Sequence, residues 1–321
     1  MTWLRKVAAV GVGALVAATG SADAQTTGKP IRLVIPFGAG STTDLIGRVM
    51  APGIGEALGQ TIVIENKPGA DGAIAGADVH RAEPDGSTLL LGTNSPLSVA
   101  PYLQKKIPYD PITGFSPISH LGYYTFFIVT NPSVPAKTVG ELVTHLKANP
   151  GKLNYATGNT TSIVASALFA KQAGVEMVRV PYKTEPPAVT DLLTGQVQFM
   201  FCSYSTVIGQ IEAKKVNVLA AMLPARSSLL PDVPAMPEVG FKDFPVVPWA
   251  AIVGPPGMKP ELVERINKAV VAELAKPAIR KQLDQHAFAV KTSSPVELGE
   301  IIKKQRTEWE QLAKIAGLEP Q

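Results

Sequence analysis

LVIPFGAGSTTD, Leu33–Asp44, is the stretch from which the rest of the chain reads. Leu33, Val34 and Ile35 form a buried-strand run that stops at Pro36, and Gly38, Ala39 and Gly40 make a small-residue turn. Ser41-Thr42-Thr43-Asp44 then has the spacing of a capping box, opening a helix with Leu45, Ile46, Val49 and Met50 on its apolar face. A strand feeding a tight turn and a bare helix N-terminus aims several backbone N–H groups at one point. Orphan donors and the helix dipole both favour an anion there. An ordinary capped strand-to-helix turn has the same letters, so both readings stand at this point. It is not a Walker loop, because no Gly-Lys-Ser/Thr follows, and Thr43 occupies the place of the third glycine of a dinucleotide fingerprint. Asp44 fits a capping partner better than a catalytic acid.

Upstream, Arg5 and Lys6 precede an apolar run from Val7 to about Ala18, and Ala22-Asp23-Ala24 is an A-x-A cleavage site. This reads as a secretory signal peptide, residues 1–24, cleaved after Ala24. The expected location is therefore the periplasm. Cleavage leaves 297 of the 321 residues, and the formal charge falls from +4 to +3 because Arg5, Lys6 and Asp23 leave together. That length suffices for one large core or two ordinary ones. No later apolar stretch is long enough to span a membrane. Basic residues are scattered in runs of at most two, so no nucleic-acid or membrane-binding stripe is expected. The lone Cys202 cannot form an internal disulfide.

Downstream, Thr61–Glu65 and Thr88–Leu91 read as strands with a short Ala-rich helix, Ala73–Ala82, between them. With the first strand and helix they spell β-α-β-α-β, the mark of a mostly parallel sheet covered by helices. The first helix is expected to break at Pro52-Gly53. After a Pro-punctuated stretch from Pro101 to Pro117, Ile118–Thr130 reads as one extended apolar run. Thr138–Glu141 caps a helix to about Ala148. Leu153–Ala156 is a strand, and Thr157-Gly158-Asn159-Thr160-Thr161-Ser162 is a second small-polar turn before a helix. The strand–polar turn–helix unit of residues 33–50 thus recurs near residue 153. Strands follow at Val178–Tyr182, Val197–Phe201, Val216–Met222 and Trp249–Val253, with helices at Pro187–Thr194, Ile208–Lys214 and Pro260–Ala275. A last helix opens at the Ser294–Glu297 box. Two α/β halves, each with an anion-ready turn, suggest a cleft between lobes.

Signs of chemistry are sparse. His80, His120, His145 and His286 lack metal-ligand spacing, and no G-x-S-x-G elbow occurs. No cofactor, metal or catalytic residue is expected. Cys202 follows a strand and so stands at its tip, reading as a buried or pocket-lining inert thiol more than as a nucleophile, since nothing pairs it with a base. Tyr123, Tyr124, Phe126 and Phe127 read as core rather than as a stacking platform.

The motifs PIRLVIPFGAGSTTD, IVIENKPGADGAIAG, EPDGSTLLLGTNS, KIPYDP, PAKTVGELVTHLKANPGKLNYAT, VPYK, AVTDLLTGQVQFMF and LPDVPAMPEVGF run through nearly all of the mature chain. In content and order they resemble the Bug-type periplasmic receptors of tripartite tricarboxylate transporters. The resemblance implies an α/β, two-lobed, type II periplasmic-binding-protein fold (a Venus flytrap) with two crossover hinge strands. Lobe 1 would be 25–124 plus 249–321 and lobe 2 would be 125–248. It implies a small carboxylate ligand, held by backbone N–H groups, hydroxyls and waters, and delivery to membrane permease subunits by a monomer. The family's ligand loops map onto Phe37–Thr42 (with Ala39, Gly40 and Ser41), Thr93-Asn94 and Thr157–Thr161 (with Gly158, Asn159 and Thr160). The tip after Val197–Phe201, which is Cys202, closes the pocket.

The chain departs from the family pattern at several points. Ser41 and Thr42 add hydroxyls to the first loop, the 157–162 loop is short, and Lys183 is followed by Thr184-Glu185 instead of Gly. Cys202 stands where the family usually has Asp, a residue that can meet a ligand ammonium in amino-acid-binding members. The expected ligand is therefore an aliphatic or aromatic dicarboxylate without an amine. The alternatives are a periplasmic ligand-sensing module with a signalling partner, or a secreted hydrolase using Cys202.

Overall fold

The structure, a computed structural model, describes residues 28–320. The signal peptide expected over residues 1–24 lies outside the described residues. The order begins β1 (Ile31–Ile35), α1 (Thr42–Leu58), β2 (Ile62–Asn66), α2 (Ala73–His80), β3 (Thr88–Thr93), α3 (Ala100–Leu103) and β4 (Ser116–Tyr124). It continues with β5 (Phe126–Thr130), α4 (Val139–Ala148), β6 (Asn154–Thr157), α5 (Thr160–Ala173), β7 (Val178–Pro181), α6 (Glu185–Thr194), β8 (Phe199–Ser203), α7 (Tyr204–Glu212) and β9 (Asn217–Ala221). β10 (Trp249–Gly254), α8 (Pro260–Ala275), α9 (Pro277–Gln285), β11 (Phe288–Val290) and α10 (Pro295–Ile315) complete it.

Two sheets form, in the orders β11-β4-β10-β3-β1-β2 and β7-β6-β8-β5-β9. β2, β1 and β3 are parallel, as are β7, β6 and β8. The remaining pairings are antiparallel, so the expectation of a mostly parallel sheet is corrected. The reason is topological. β5, beside β8, follows directly from β4 of the other sheet, while β10, beside β3, follows the long 222–248 connection from β9.

The extended run expected over Ile118–Thr130 is accordingly two strands in two sheets, divided at Thr125. Its N–H donates to the Ala287 carbonyl at 3.1 Å, and its carbonyl accepts from the Tyr204 N–H at 3.1 Å, so both sides of the crossing are pinned. Elsewhere, Pro52 sits inside α1 without ending it. A helix-interior proline costs about 3 kcal/mol. Met50, Ala51, Ile54 and Leu58 bury the helix on both sides of it, and Gly53 leaves room for the Glu273 carboxylate of α8. α9, with Ile279 and Leu283 one turn apart on its apolar side, and the three-residue β11 are not among the elements expected from the sequence. In the first lobe, Trp249 of β10 and Trp309 of α10 both donate from Nε1 to Gln305 Oε1 at 3.0 Å. Among the described residues no helix is long and apolar enough to cross a membrane.

Candidate functional site

Parallel strands end where the following helices begin, so the carboxyl edges of β1, β3, β6 and β8 bring helix N-termini and turns to one place. Between the lobes these edges enclose a cavity with about 370 Å³ of empty space.

The two polar turns expected from the sequence face each other here. At α1, Ser41 Oγ accepts from the Asp44 N–H at 3.3 Å. The Asp44 carboxylate, however, accepts from the Gly40 N–H at 3.0 Å, one residue upstream of the expected box partner. Asn66 Nδ2 at 3.1 Å and the Arg48 guanidinium also bind it. These donors hold the Asp44 carboxyl below its ordinary pKa despite the opposing push of burial. At α5, Asn159 Oδ1 accepts from the Ser162 N–H at 2.9 Å, and Ser162 Oγ accepts from the Asn159 N–H at 3.3 Å. In both helices the cap satisfies the third amide. The amides of Thr42 and Thr43, and of Thr160 and Thr161, have no carbonyl a turn earlier to bond.

Eight of the expected site residues line the cavity: Phe37, Ser41, Thr42, Thr93, Asn94, Gly158, Asn159 and Thr161. Five do not. Ala39 and Gly40 are exposed on the outside of the turn, where Gly40 supplies the positive φ. Thr157 is buried behind the wall, its Oγ1 accepting from Arg179 Nε at 2.9 Å. Thr160 lies one layer back, bonded to Ser95 Oγ at 2.8 Å. Cys202 is the clearest correction. It lies within β8, fully buried among Phe127, Met200 and Val207 rather than at a strand tip. Alternate side chains of a strand point to opposite faces, so Ser203 takes the cavity side that Cys202 was expected to take. Burial and the nearby Glu185 charge push the Cys202 thiol well above its ordinary pKa, against any nucleophilic role.

The cavity also uses residues the sequence did not single out. Tyr124 and Phe126, read as core, line it beside Pro248 at the sheet crossing, and Thr43 Oγ1 pairs with the Tyr124 hydroxyl at 3.0 Å. Glu185 matters most. It opens α6, two residues before the expected helix start, and is 5% exposed. Its carboxylate accepts from Asn159 Nδ2 at 2.9 Å, from the Ser203 N–H at 3.2 and 3.3 Å, from Thr206 Oγ1 at 2.8 Å, and from the Ser203 hydroxyl. Burial pushes the Glu185 carboxyl up in pKa, and these hydrogen bonds pull the other way. The signal in the sequence was Thr184-Glu185-Pro186, a cap position, an acid and a proline at a helix start.

Three side-chain hydrogen bonds join the lobes around the cavity. Thr42 Oγ1 donates to Ser203 Oγ at 2.7 Å, Asn94 Nδ2 donates to Thr161 Oγ1 at 2.9 Å, and Ser95 meets Thr160. Two α/β lobes joined by crossing strands, with a polar cavity at the strands' carboxyl ends, are the build of a periplasmic solute-binding receptor.

Comparison with known proteins narrows the class. The model of the tripartite tricarboxylate transporter family receptors matches residues 46–318. The chain is 32% identical to the BugT protein of Bordetella pertussis over 302 residues, covering 92% of this chain and 91% of that one. The structure of the periplasmic binding protein BugD superposes with a TM-score of 0.87 at 34% identity, covering 91% of this chain and 99% of that one. An R. palustris protein, Rpa4515, with adipate superposes at 0.88 and 28% identity, covering 91% and 98%. The chain belongs to the tripartite tricarboxylate transporter receptor family, a family of periplasmic solute-binding receptors and not of enzymes.

Proposed function

We propose that this chain is exported by its N-terminal signal, with cleavage after Ala24, binds a small carboxylate between its lobes, and hands it as a monomer to the membrane subunits of a tripartite transporter. The observation that carries the ligand class is the pair of opposed helix N-termini, α1 and α5. Their first-turn amides and the hydroxyls of Ser41 and Thr161 offer neutral donors to an anion. The relative with adipate supports an organic acid. Cys202 faces the opposite side of its sheet and no histidine lines the cavity, so no thiol–imidazole or serine–histidine pair stands in it.

The cross-lobe bonds give the receptor its switch. Each exists only when the lobes are together, so a ligand that contacts both lobes favours the closed state by its extra contacts. The amine-free ligand expected from the sequence loses its premise, since Cys202 is not in the lining and Glu185 is.

The test is a thermal-shift panel on refolded, ligand-stripped mature protein, with C4–C6 dicarboxylates, citrate, aromatic acids and acidic amino acids. An acid at a hundred times its Kd adds about 2.7 kcal/mol to stability, and a clear rise in Tm is expected for at least one. A folded protein that responds to none of them defeats the carboxylate reading.

A further inference from the structure

The lining of the inter-lobe cavity is electrically one-sided. Glu185 is its one carboxylate, and no lysine, arginine or histidine side chain lines it among the described residues. Asp44, the buried acid at the first turn, offers a contrast, because Arg48 lies 3.0 Å from it. Glu185 has no such cation within ion-pairing distance among the described residues. Its partners, Asn159, Thr206 and the amide and hydroxyl of Ser203, are all neutral donors.

Donors of this kind, together with the N-terminal position on α6, suit the ionised carboxylate. Burial pushes the other way and raises the Glu185 carboxyl in pKa, so its ionised form lacks only a cation beside it. Against an ionised Glu185, a monocarboxylate entering the cavity adds a second negative charge and a dicarboxylate a third, and the helix termini of α1 and α5 offer only about half a positive charge each. Like charges in a dry site repel strongly unless a cation joins them. That cation is missing from the wall, and a ligand that brings it meets the ionised Glu185 best. Beside Glu185, Thr184 also lines the cavity, and its hydroxyl is buried without a hydrogen-bond partner.

We propose that Glu185 makes this cavity selective for an acid that also carries a protonated amine, with the ammonium set against Glu185 and the carboxylate against the N-termini of α1 and α5. The substrate class is a small amino acid or an amino-acid-like zwitterion. Glu185 is then the specificity-determining residue, and Cys202 has no part in the choice. The inference rests on the receptor reading above and sharpens it.

Calorimetric titration of the refolded mature protein with matched acids decides it. The pairs are aspartate and succinate, glutamate and glutarate, and alanine and propionate, each differing by one ammonium group. In every pair that binds measurably, the amine-bearing member is expected to bind at least about tenfold more tightly. In Glu185→Gln that preference is expected to vanish. The inference is overturned if the amine-free members bind as tightly or more tightly, or if Glu185→Gln keeps the preference. Should that variant fail to fold, the pairs on the unaltered protein still decide the matter. Acids that bind without preference defeat this inference alone, whereas a folded protein that binds no acid defeats the receptor reading and this inference with it.

Discussion

Glu185 shows how one side chain decides a site. Its carboxyl is buried, tied to four donor groups, and raised in pKa above its ordinary 4.5 by burial. A carboxyl raised on folding binds its proton more readily in the native state. Its contribution to stability is therefore fully present below the unfolded value and is lost as pH rises through the folded one. In urea denaturation, the native protein should thus gain stability relative to Glu185→Gln as the pH is lowered from about 7.5 to about 4.5. Groups common to both proteins cancel in that comparison. A gap that widens against the native protein on acidification would contradict the assignment. The sequence disclosed the acid and its place at a helix start, but not its partners. Ser203 lies 18 positions away and Asn159 lies 26, and no local pattern links them.

At the level of elements, the site depends on the close approach of two turns. A Cβ on Gly158 would stand 2.7 Å from the Glu185 nitrogen, 2.8 Å from the Thr184 carbonyl carbon and 2.9 Å from the Glu185 Cα. All three are backbone atoms, which cannot swing aside. Gly158→Ala should therefore push the start of α6 away from the β6–α5 turn. The expected cost is about 1–3 kcal/mol in chemical denaturation, together with weaker ligand binding in the same preparation. Unchanged stability and affinity would mean the turns have slack. The same scale explains α1. Local chemistry says that Pro52 ends the helix, yet burial of the residues around it and the space above Gly53 for Glu273 carry the helix through. Tertiary packing outweighs the local preference there.

For the whole molecule, the bonds between lobes are expected to set the balance of open and closed states in the proposed receptor. Thr160 does not line the cavity, yet its hydroxyl joins Ser95 across the lobes at 2.8 Å. Thr160→Val keeps the shape and removes the link. A lost hydrogen bond of about 0.5–1.5 kcal/mol should lower ligand affinity about 2- to 12-fold by calorimetry. Small-angle scattering should still show contraction on ligand addition. An affinity loss with no contraction in either protein would mean that lobe closure is not the switch.

The sequence by itself determined what is local. It set the two polar turns at Ser41 and Asn159 and the alternation of strands and helices, because capping and hydrophobic periodicity are properties of neighbours in the chain, while Thr93 and Asn94 of the cavity came only with the family resemblance. The family resemblance, carried by motifs spread over the mature chain, supplied the two-lobed fold that those local patterns alone only suggested. Tertiary structure decided which strands pair antiparallel, which face of β8 lines the cavity, and which acidic side chain stands in its wall. A strand's side chains alternate, so Cys202 and Ser203 exchange roles with the face the sheet buries, and that face is fixed by packing against residues far away in sequence. Thr42 and Ser203, 161 positions apart, meet at 2.7 Å only because the chain crosses between the sheets and returns.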